Sequence, residues 1–321
     1  MIYIETDSKD AAFYFAAEEY FMQHTDEPVL MIWQTNPCVM VGRYQIAAAE
    51  VDLAYAEDAG IQVVRRPSGG GTIFTDQGTF LYTIIRSQWE PQEARETVAW
   101  LVIESLRELG VTAKMKGRND ILVEERKISG MAQHIQYGHL CCHGSLLYDA
   151  NLEILTRALR VDDEKISSKA IRSVRSRVSN IKNYYSNEDF KARFICQMIE
   201  NCRARKYILS NNEKDKINII RKKKYDNPMW TYGETPKFNF HNAKRFEGGK
   251  VEVYLDVKNN IVTSCRIYGD FLGVAPIQGL ESQLVGQMFD RQSMYNCVDG
   301  QSLKSFLGSI SKEQFLSCIF D

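Results

Sequence analysis

Long apolar runs are missing from this chain of 321 residues. No window approaches about 18 uninterrupted apolar residues, so no transmembrane helix is expected. The opening residues, MIYIETDSKD, lack both a basic n-region and an apolar h-region, which predicts no signal peptide. An excess of one charge is also missing. Lysine and arginine number 40 against 41 acids, a net charge of −1, so no bulk attraction to nucleic acid or membrane is expected. The chain has 8 cysteines but no C-x-x-C, which gives neither a zinc spacing nor a disulfide framework. Free thiols at Cys38, Cys141, Cys142, Cys196, Cys202, Cys265, Cys297 and Cys318 fit a reducing compartment, and cytoplasm is the expectation. Internal repeats and low-complexity tracts are absent, as are the nucleotide fingerprints G-x-x-x-x-G-K-[ST] and G-x-G-x-x-G. The remainder is ordinary for a globular protein: 44% hydrophobic, 25% charged, and long enough for one large domain or two.

Against that background one stretch stands out, Val63 to Ile85, VVRRPSGGGTIFTDQGTFLYTII. Its two ends are β-branched and aromatic, which favours strands. Between them Gly69, Gly70 and Gly71 carry no Cβ, so the backbone can take positive φ and approach a ligand. Its N–H groups can then converge on an anion. Arg65 and Arg66 add guanidinium charge that matches phosphate oxygens. A plain glycine turn inside a hairpin is the competing reading, and it leaves the arginine pair unexplained.

The rest of the chain alternates helices and strands. Asp10–His24 has Phe13, Ala16, Ala17, Tyr20 and Phe21 on one helical face. Val29–Gln34 and Cys38–Gly42 are short strands around an Asn36-Pro37 turn, Ala49–Ala59 is a short helix, and Pro91 opens a long one that Gly110 stops. Lys116-Gly117-Arg118-Asn119-Asp120 is a polar turn before the strand Ile121–Val123, and Glu124-Glu125-Arg126 turns a hairpin into Lys127-Ile128-Ser129-Gly130-Met131-Ala132. Small residues after Lys127 let a ligand approach that strand, where an ammonium is a compact charge for a phosphate or carboxylate. Further helices are expected over Leu152–Leu159 and Glu188–Cys202. From Lys165 to Lys182 six cations (Lys165, Lys169, Arg172, Arg175, Arg177 and Lys182) occur with no acid between them. They are either a solvated basic face or a docking surface for an acidic partner with a phosphate clamp. A second, smaller unit starts near Phe246, with alternating strands over Val251–Val257 and Ile261–Ile267, then helices over Gly279–Phe289 and Ser302–Leu316. The class is mixed α+β, divided as 1–243 and 244–321.

Arg65 to Gly78 resembles the R-R-x-S-G-G-G-x-V-[FY]-H-D-x-G-N signature of the lipoate-protein ligase A family, in the biotin/lipoate ligase superfamily. Thr75 and Thr79 stand where the family usually has His and Asn. The family's other motifs follow in the same order: Asn119-Asp120, Lys127-Ile128-Ser129-Gly130-Met131-Ala132, His143-Gly144-Ser145-Leu146-Leu147, the Lys169–Ile181 segment, and Asn227-Pro228-Met229-Trp230-Thr231-Tyr232-Gly233. The resemblance implies a catalytic domain with central mixed sheets flanked by helices, plus a C-terminal accessory domain.

It also implies a chemistry. Lipoate, or octanoate, attacks the α-phosphorus of ATP to give an acyl-adenylate, and a lysine of an acceptor protein then displaces AMP. The acceptor would be a dehydrogenase E2 lipoyl domain or a glycine-cleavage H protein, and the enzyme a monomer. By motif position Lys127 bridges carboxylate and α-phosphate. Arg66, Gly71, Thr72, Ile73, Phe74, Asn119 and Asp120 hold ATP, with Asp120 contacting Mg²⁺ directly or through water. Ser68, Gly70, Gly130, Lys127 and His143 hold lipoate, in an apolar slot around Val41, Ile73 and Gly130. Cys142 stands where the family often has His. The related octanoyltransferases carry a nucleophilic cysteine three residues before the His-Gly histidine, whereas Cys141 and Cys142 lie two and one before His143. Acyl transfer through a cysteine thioester is the second reading. A non-catalytic adenylate- or acceptor-binding protein is a third.

Overall fold

The computed structural model describes residues 1–159, 177–185, 189–233, 238–298 and 300–320. Lys165, Lys169, Arg172 and Arg175 of the basic stretch lie outside them.

The elements follow the expected alternation. Strand β1 is Ile2–Glu5, helix α1 Ala11–His24, β2 Val29–Trp33, β3 Cys38–Val41, α2 Ala47–Glu50, α3 Leu53–Asp58, β4 Gln62–Arg65, β5 Ile73–Thr75 and β6 Thr79–Ser87. Helix α4 (Pro91–Arg107) precedes β7 (Lys114–Lys116), β8 (Asp120–Val123), β9 (Arg126–Gln136), β10 (His139–Leu147) and α5 (Leu152–Ala158). Helices Phe190–Asn201 and Asn211–Ile220 flank β11, Arg205–Ile208.

Eight strands form one mixed sheet in the order β11-β1-β2-β6-β10-β9-β8-β7. Side chains alternate faces along a strand. Tyr82 and Ile84 therefore pack with α4 and helix Phe190–Asn201, while Leu81 and Ile85 pack with α1. Helix α1 does more than offer one apolar face. It is buried from Ala11 to Met22, between the large sheet and the chain around Ile217 and Tyr225. A helix apolar all round is a core helix, and Asp10 caps its first turn by accepting from Ala12 N at 3.0 Å.

The glycine stretch is not a hairpin. Strands β4 and β5 never pair with each other; both pair with β3, β4 in parallel and β5 antiparallel. The loop between them therefore arches across the end of a separate three-stranded sheet, order β4-β3-β5. Helices α2, α3 and α5 bring Ala47, Ala56 and Ala158 into the small core beside Val39, Val41 and Phe74. The expected helix Ala49–Ala59 is split, because Asp52 caps a new start by accepting from Tyr55 N at 3.0 Å.

The smaller unit has a three-stranded antiparallel sheet, β12 (Phe240–Phe246), β13 (Gly249–Lys258) and β14 (Ile261–Gly269), covered by four helices. A division between 243 and 244 falls within β12. Helices Gly300–Leu307 and Lys312–Phe320 replace the single helix expected over Ser302–Leu316, with Gly308 at φ +67° between them.

Candidate active site

The loop after β4 is fixed from below by its own arginines. Arg66 is buried and donates to Met40 O at 3.0 Å, Gly69 O at 2.8 Å and Gly71 O at 2.7 Å. Arg65 is equally buried and donates only to backbone carbonyls, those of Gly42, Arg43, Gln45, Trp230 and Thr231. The pair is thus not an open charged mouth. It draws loop carbonyls inward and sets the loop's shape. Two glycines are sterically required there. Gly70 has φ +89°, and a Cβ on Gly42 would lie 1.9 Å from Gly70 O. Gly71 has nothing within 4 Å of where a Cβ would point, so the loop presents bare backbone at that position.

The loop forms one wall of a cavity of about 320 Å³. Gly70, Gly71, Thr72, Ile73, Phe74 and Arg66 line it from the small sheet. Asn119, Lys127, Gly130 and His143 line it from the large one, and Phe15, Trp33, Met40 and Leu81 supply an apolar end. Among the residues expected at the site, Ser68 and Asp120 are not part of this lining; Ser68 is buried, and Asp120 is open to solvent beside Lys127. Val41, expected on the wall of the acyl slot, is instead fully buried in the small core. Strand alternation is the reason, since Met40 and Val41 point to opposite sides of β3.

Lys127 lies along its strand toward Gly130, where a Cβ would come within 2.8 Å of Nζ. The small residue is what lets the ammonium lie there. Nζ is 2.7 Å from Asp120 Oδ1, and both side chains are 37% exposed, so the pair is open to solvent and to a ligand. Asn119 is turned into its own hairpin, donating from Nδ2 to Met131 O at 2.8 Å. Thr72 Oγ1 donates to Gln45 Oε1 at 2.8 Å, which also accepts from Gly42 N at 3.0 Å.

Beneath the apolar end runs a buried polar chain that sequence reading missed. Glu18, fully buried on α1, accepts from His143 Nδ1 at 2.9 Å and from Thr83 Oγ1 at 2.8 Å. His143 Nε2 lies 2.6 Å from Ser68 Oγ, at the root of the glycine loop. A carboxylate only accepts, so Nδ1–H donates to Glu18, and Nε2 shares a second hydrogen bond with the serine. The missed signal was two glutamates, Glu18 and Glu19, inside a helix otherwise apolar on every side. Buried carboxylates need partners, and Glu19 finds Lys224 Nζ at 2.5 Å and Tyr225 Oη at 2.9 Å. His134 and Cys141 offer donors within 4.8 Å of His143. Both His143 nitrogens are already bonded, so this trio is a polar cluster and not three free metal ligands. Burial, and then His143, push the His134 pKa well down, which keeps that ring neutral.

The cysteines beside His143 are sealed. Cys142 packs on the α4 side of the sheet and Cys141 on the α1 side; both are fully buried, and neither lines the cavity. Burial drives the Cys142 pKa up to about 12 and raises that of Cys141 well above the usual thiol value, with Glu18 adding to the latter. Thr75 also points away from the cavity, 2.8 Å from Thr35 Oγ1. Asp76 shapes the following turn, accepting from Gly78 N at 2.9 Å and Asn151 N at 2.8 Å.

The chain has relatives among known proteins. Residues 10–199 match the lipoyl protein ligase A/B catalytic domain family, and residues 235–319 match the bacterial lipoate protein ligase C-terminus family. The lipoate-protein ligase LplJ of Bacillus subtilis (strain 168) is 35% identical over 331 aligned positions, covering 100% of both chains. The P. falciparum LipL1 structure in complex with lipoate superposes with a TM-score of 0.79 over 93% of this chain and 94% of that one, at 18% identity, a likeness of fold. The bi-partite lipoate protein ligase of Thermoplasma acidophilum, solved with its E2 lipoyl domain, gives a TM-score of 0.67 at 27% identity over 74% of this chain and 98% of that one. A lipoate-protein ligase A bound with ATP gives 0.64 at 25% identity over 72% and 98%. The mixed α+β fold is shared with these structures, and the chain belongs to the lipoate-protein ligase family.

Proposed function

We propose that the protein activates lipoate or octanoate with ATP and passes the acyl group to a lysine of an acceptor protein. The observation that carries this reading is one cavity that joins bare glycine backbone, a solvent-open ammonium and an apolar end. An adenylating enzyme of fatty acids needs those three surfaces together. The acyl carboxylate attacks the α-phosphorus of ATP, and pyrophosphate leaves with the bonding pair. The acceptor's amine then adds to the carbonyl of the mixed anhydride, loses a proton, and AMP leaves.

Lys127 is the residue assigned to the chemistry, because its ammonium can meet the carboxylate and the α-phosphate as negative charge collects between them. Gly71, Thr72, Ile73 and Phe74, with Arg66 beneath them and Asn119 and Asp120 opposite, are assigned to ATP. Gly70, Gly130 and His143, with Ser68 behind, are assigned to lipoate. Mg²⁺ is normally held by one or two carboxylates plus phosphate oxygens, and Asp120 offers one carboxylate beside Lys127, so the donors fit. Bound there, the ion would neutralise phosphate charge. The acceptor would be an E2 lipoyl domain or an H protein, and the enzyme is read as a cytoplasmic monomer. The unit over 1–243 would carry the catalysis and that over 244–321 would serve it.

A thioester route would need a thiolate facing the acyl donor, and Cys141 and Cys142 are buried with raised pKa values. Exchange of labelled pyrophosphate into ATP, dependent on lipoate, tests the reading. A ligase supports it, while a cysteine acyltransferase or a binding protein does not.

A further inference from the structure

A second cavity, of about 270 Å³, lies where the two units meet and shares no lining residue with the first. Arg43, Arg65 and Trp230 line it from the large unit, and Arg266, Tyr268 and Glu281 from the small one. Three guanidinium groups thus face one carboxylate. That carboxylate is already engaged: Glu281 accepts from Ile267 N at 2.9 Å and lies 3.4 Å from Arg266 Nη1. Arg65 has only neutral carbonyls for partners. Arg43 stacks 3.9 Å over the Trp230 ring, and among the described residues its guanidinium makes no ion pair or hydrogen bond.

The carboxylate that acts on Arg43, Glu19, already accepts from Lys224 and Tyr225, so the charges of Arg43 and the buried Arg65 are poorly compensated, and two of them side by side are unfavourable. Burial, followed by the charge of Arg43, lowers the Arg65 pKa to about 10. Such an arrangement is relieved by an anion, and guanidinium forks match phosphate oxygens. We propose that this interdomain cavity is an anion site for a phosphate-type oxyanion, separate from the cavity that contains Lys127. Its walls come from both units, next to their direct contacts: Gly269 N donates to Tyr44 O at 2.8 Å, and Tyr44 Oη to Ala275 O at 3.0 Å. An anion held there ties the small unit to the large one. The phosphoryl group is either a free inorganic ion or part of a nucleotide.

Calorimetry on the full chain tests this, with inorganic phosphate as one ligand and AMP as the other, at fixed ionic strength. A Lys127→Ala background reduces anion binding in the first cavity. The expected result is one phosphate site that Arg43→Gln and Arg266→Gln each weaken about tenfold or more, the loss of one charge-assisted bond. Arg266 is half exposed, so its variant tests the site without threatening the fold if Arg43→Gln fails to fold. AMP binding tighter than phosphate, with the same dependence on both arginines, identifies a nucleotide as the source; equal or weaker binding identifies the free ion. Absence of saturable phosphate binding, or unchanged affinity in both variants, overturns the proposal.

Discussion

Replacing Lys127 by Ala separates a structural lysine from a chemical one. The pair it forms with Asp120 is 2.7 Å long, and both side chains are 37% exposed. Ion pairs that open contribute roughly 0–1 kcal/mol. The strand itself is held by backbone, since Lys127 O accepts from Ser179 N at 2.9 Å and β9 pairs with both β8 and β10. Lys127→Ala should therefore cost less than about 1 kcal/mol of stability. Loss of a preorganised donor at developing negative charge costs ~10²–10³ in rate. Lipoate-dependent pyrophosphate exchange should fall by that factor while the urea midpoint hardly moves. There is one confounding effect. Without the lysine, Asp120 becomes an unpaired carboxylate next to incoming phosphate, and like charges alone could slow adenylation. The double variant Lys127→Ala with Asp120→Asn removes that repulsion. If the ammonium is the active element, the double variant stays as slow as the single. Exchange within a few-fold of the parent in Lys127→Ala, or recovery to the parent rate in the double variant, would refute the assignment.

Three further outcomes are expected. Gly70→Val puts a side chain on a residue at φ +89°, with its Cβ 2.9 Å from Leu272 Cδ2 and 3.0 Å from Arg66 Nη2, so ATP affinity and thermal stability should both drop; unchanged ATP affinity in the folded variant makes the loop a plain turn. Glu18→Gln removes a buried charged acceptor that serves His143 and Thr83, and should cost ~1.5–3 kcal/mol in urea unfolding and raise the KM for lipoate; an unmoved midpoint removes Glu18 from the network. Cys141→Ser and Cys142→Ser should each keep most ATP-dependent lipoylation, and the native thiols should resist iodoacetamide near pH 8 while the exposed Cys196 reacts; a hydroxylamine-sensitive acyl adduct on Cys141 or Cys142 would instead make the protein an acyltransferase.

Much of this was legible because the residues assigned to the site sit in contiguous motifs. The Ser68–Gly71 loop, the Lys127–Gly130 strand and His143 converge on one cavity and its margin, and local composition already marks them as bare backbone, a lone ammonium and small neighbours. Partnership was not legible. β-branched ends around a glycine turn look the same whether the strands pair with each other or with a third, and only the parallel register Val39↔Val63 shows that β3 intervenes. The arginine pair was misplaced for a related reason. A sequence shows charge but not the five carbonyls that surround Arg65. Strand β12 was missed because FHNAKRF has neither β-branched residues nor clean alternation. Leu272, which reaches the cavity from the small unit, comes from a loop that no periodicity marks.

The pleat of β10 also decides between the two acyl-transfer chemistries. His143 faces the cavity, so a residue one position away must face the opposite side. Cys142 is such a residue, and it lies in the core beneath α4 with Ile84 and Leu140. Cys141, two positions from His143, has the correct parity. Its thiol, however, is enclosed by α1, where the fully buried Glu18 carboxylate adds to the effect of burial in raising its pKa. A nucleophilic cysteine needs the reverse: exposure, and a cation or a helix N-terminus that lowers its pKa. The same carboxylate that suppresses Cys141 holds His143, and through it Ser68, at the root of the glycine loop. The residue that shuts off thiol chemistry is therefore the one that anchors the loop assigned to ATP. A change at Glu18 that freed Cys141 would loosen that loop at the same time, so the thioester route is not one substitution away from this site.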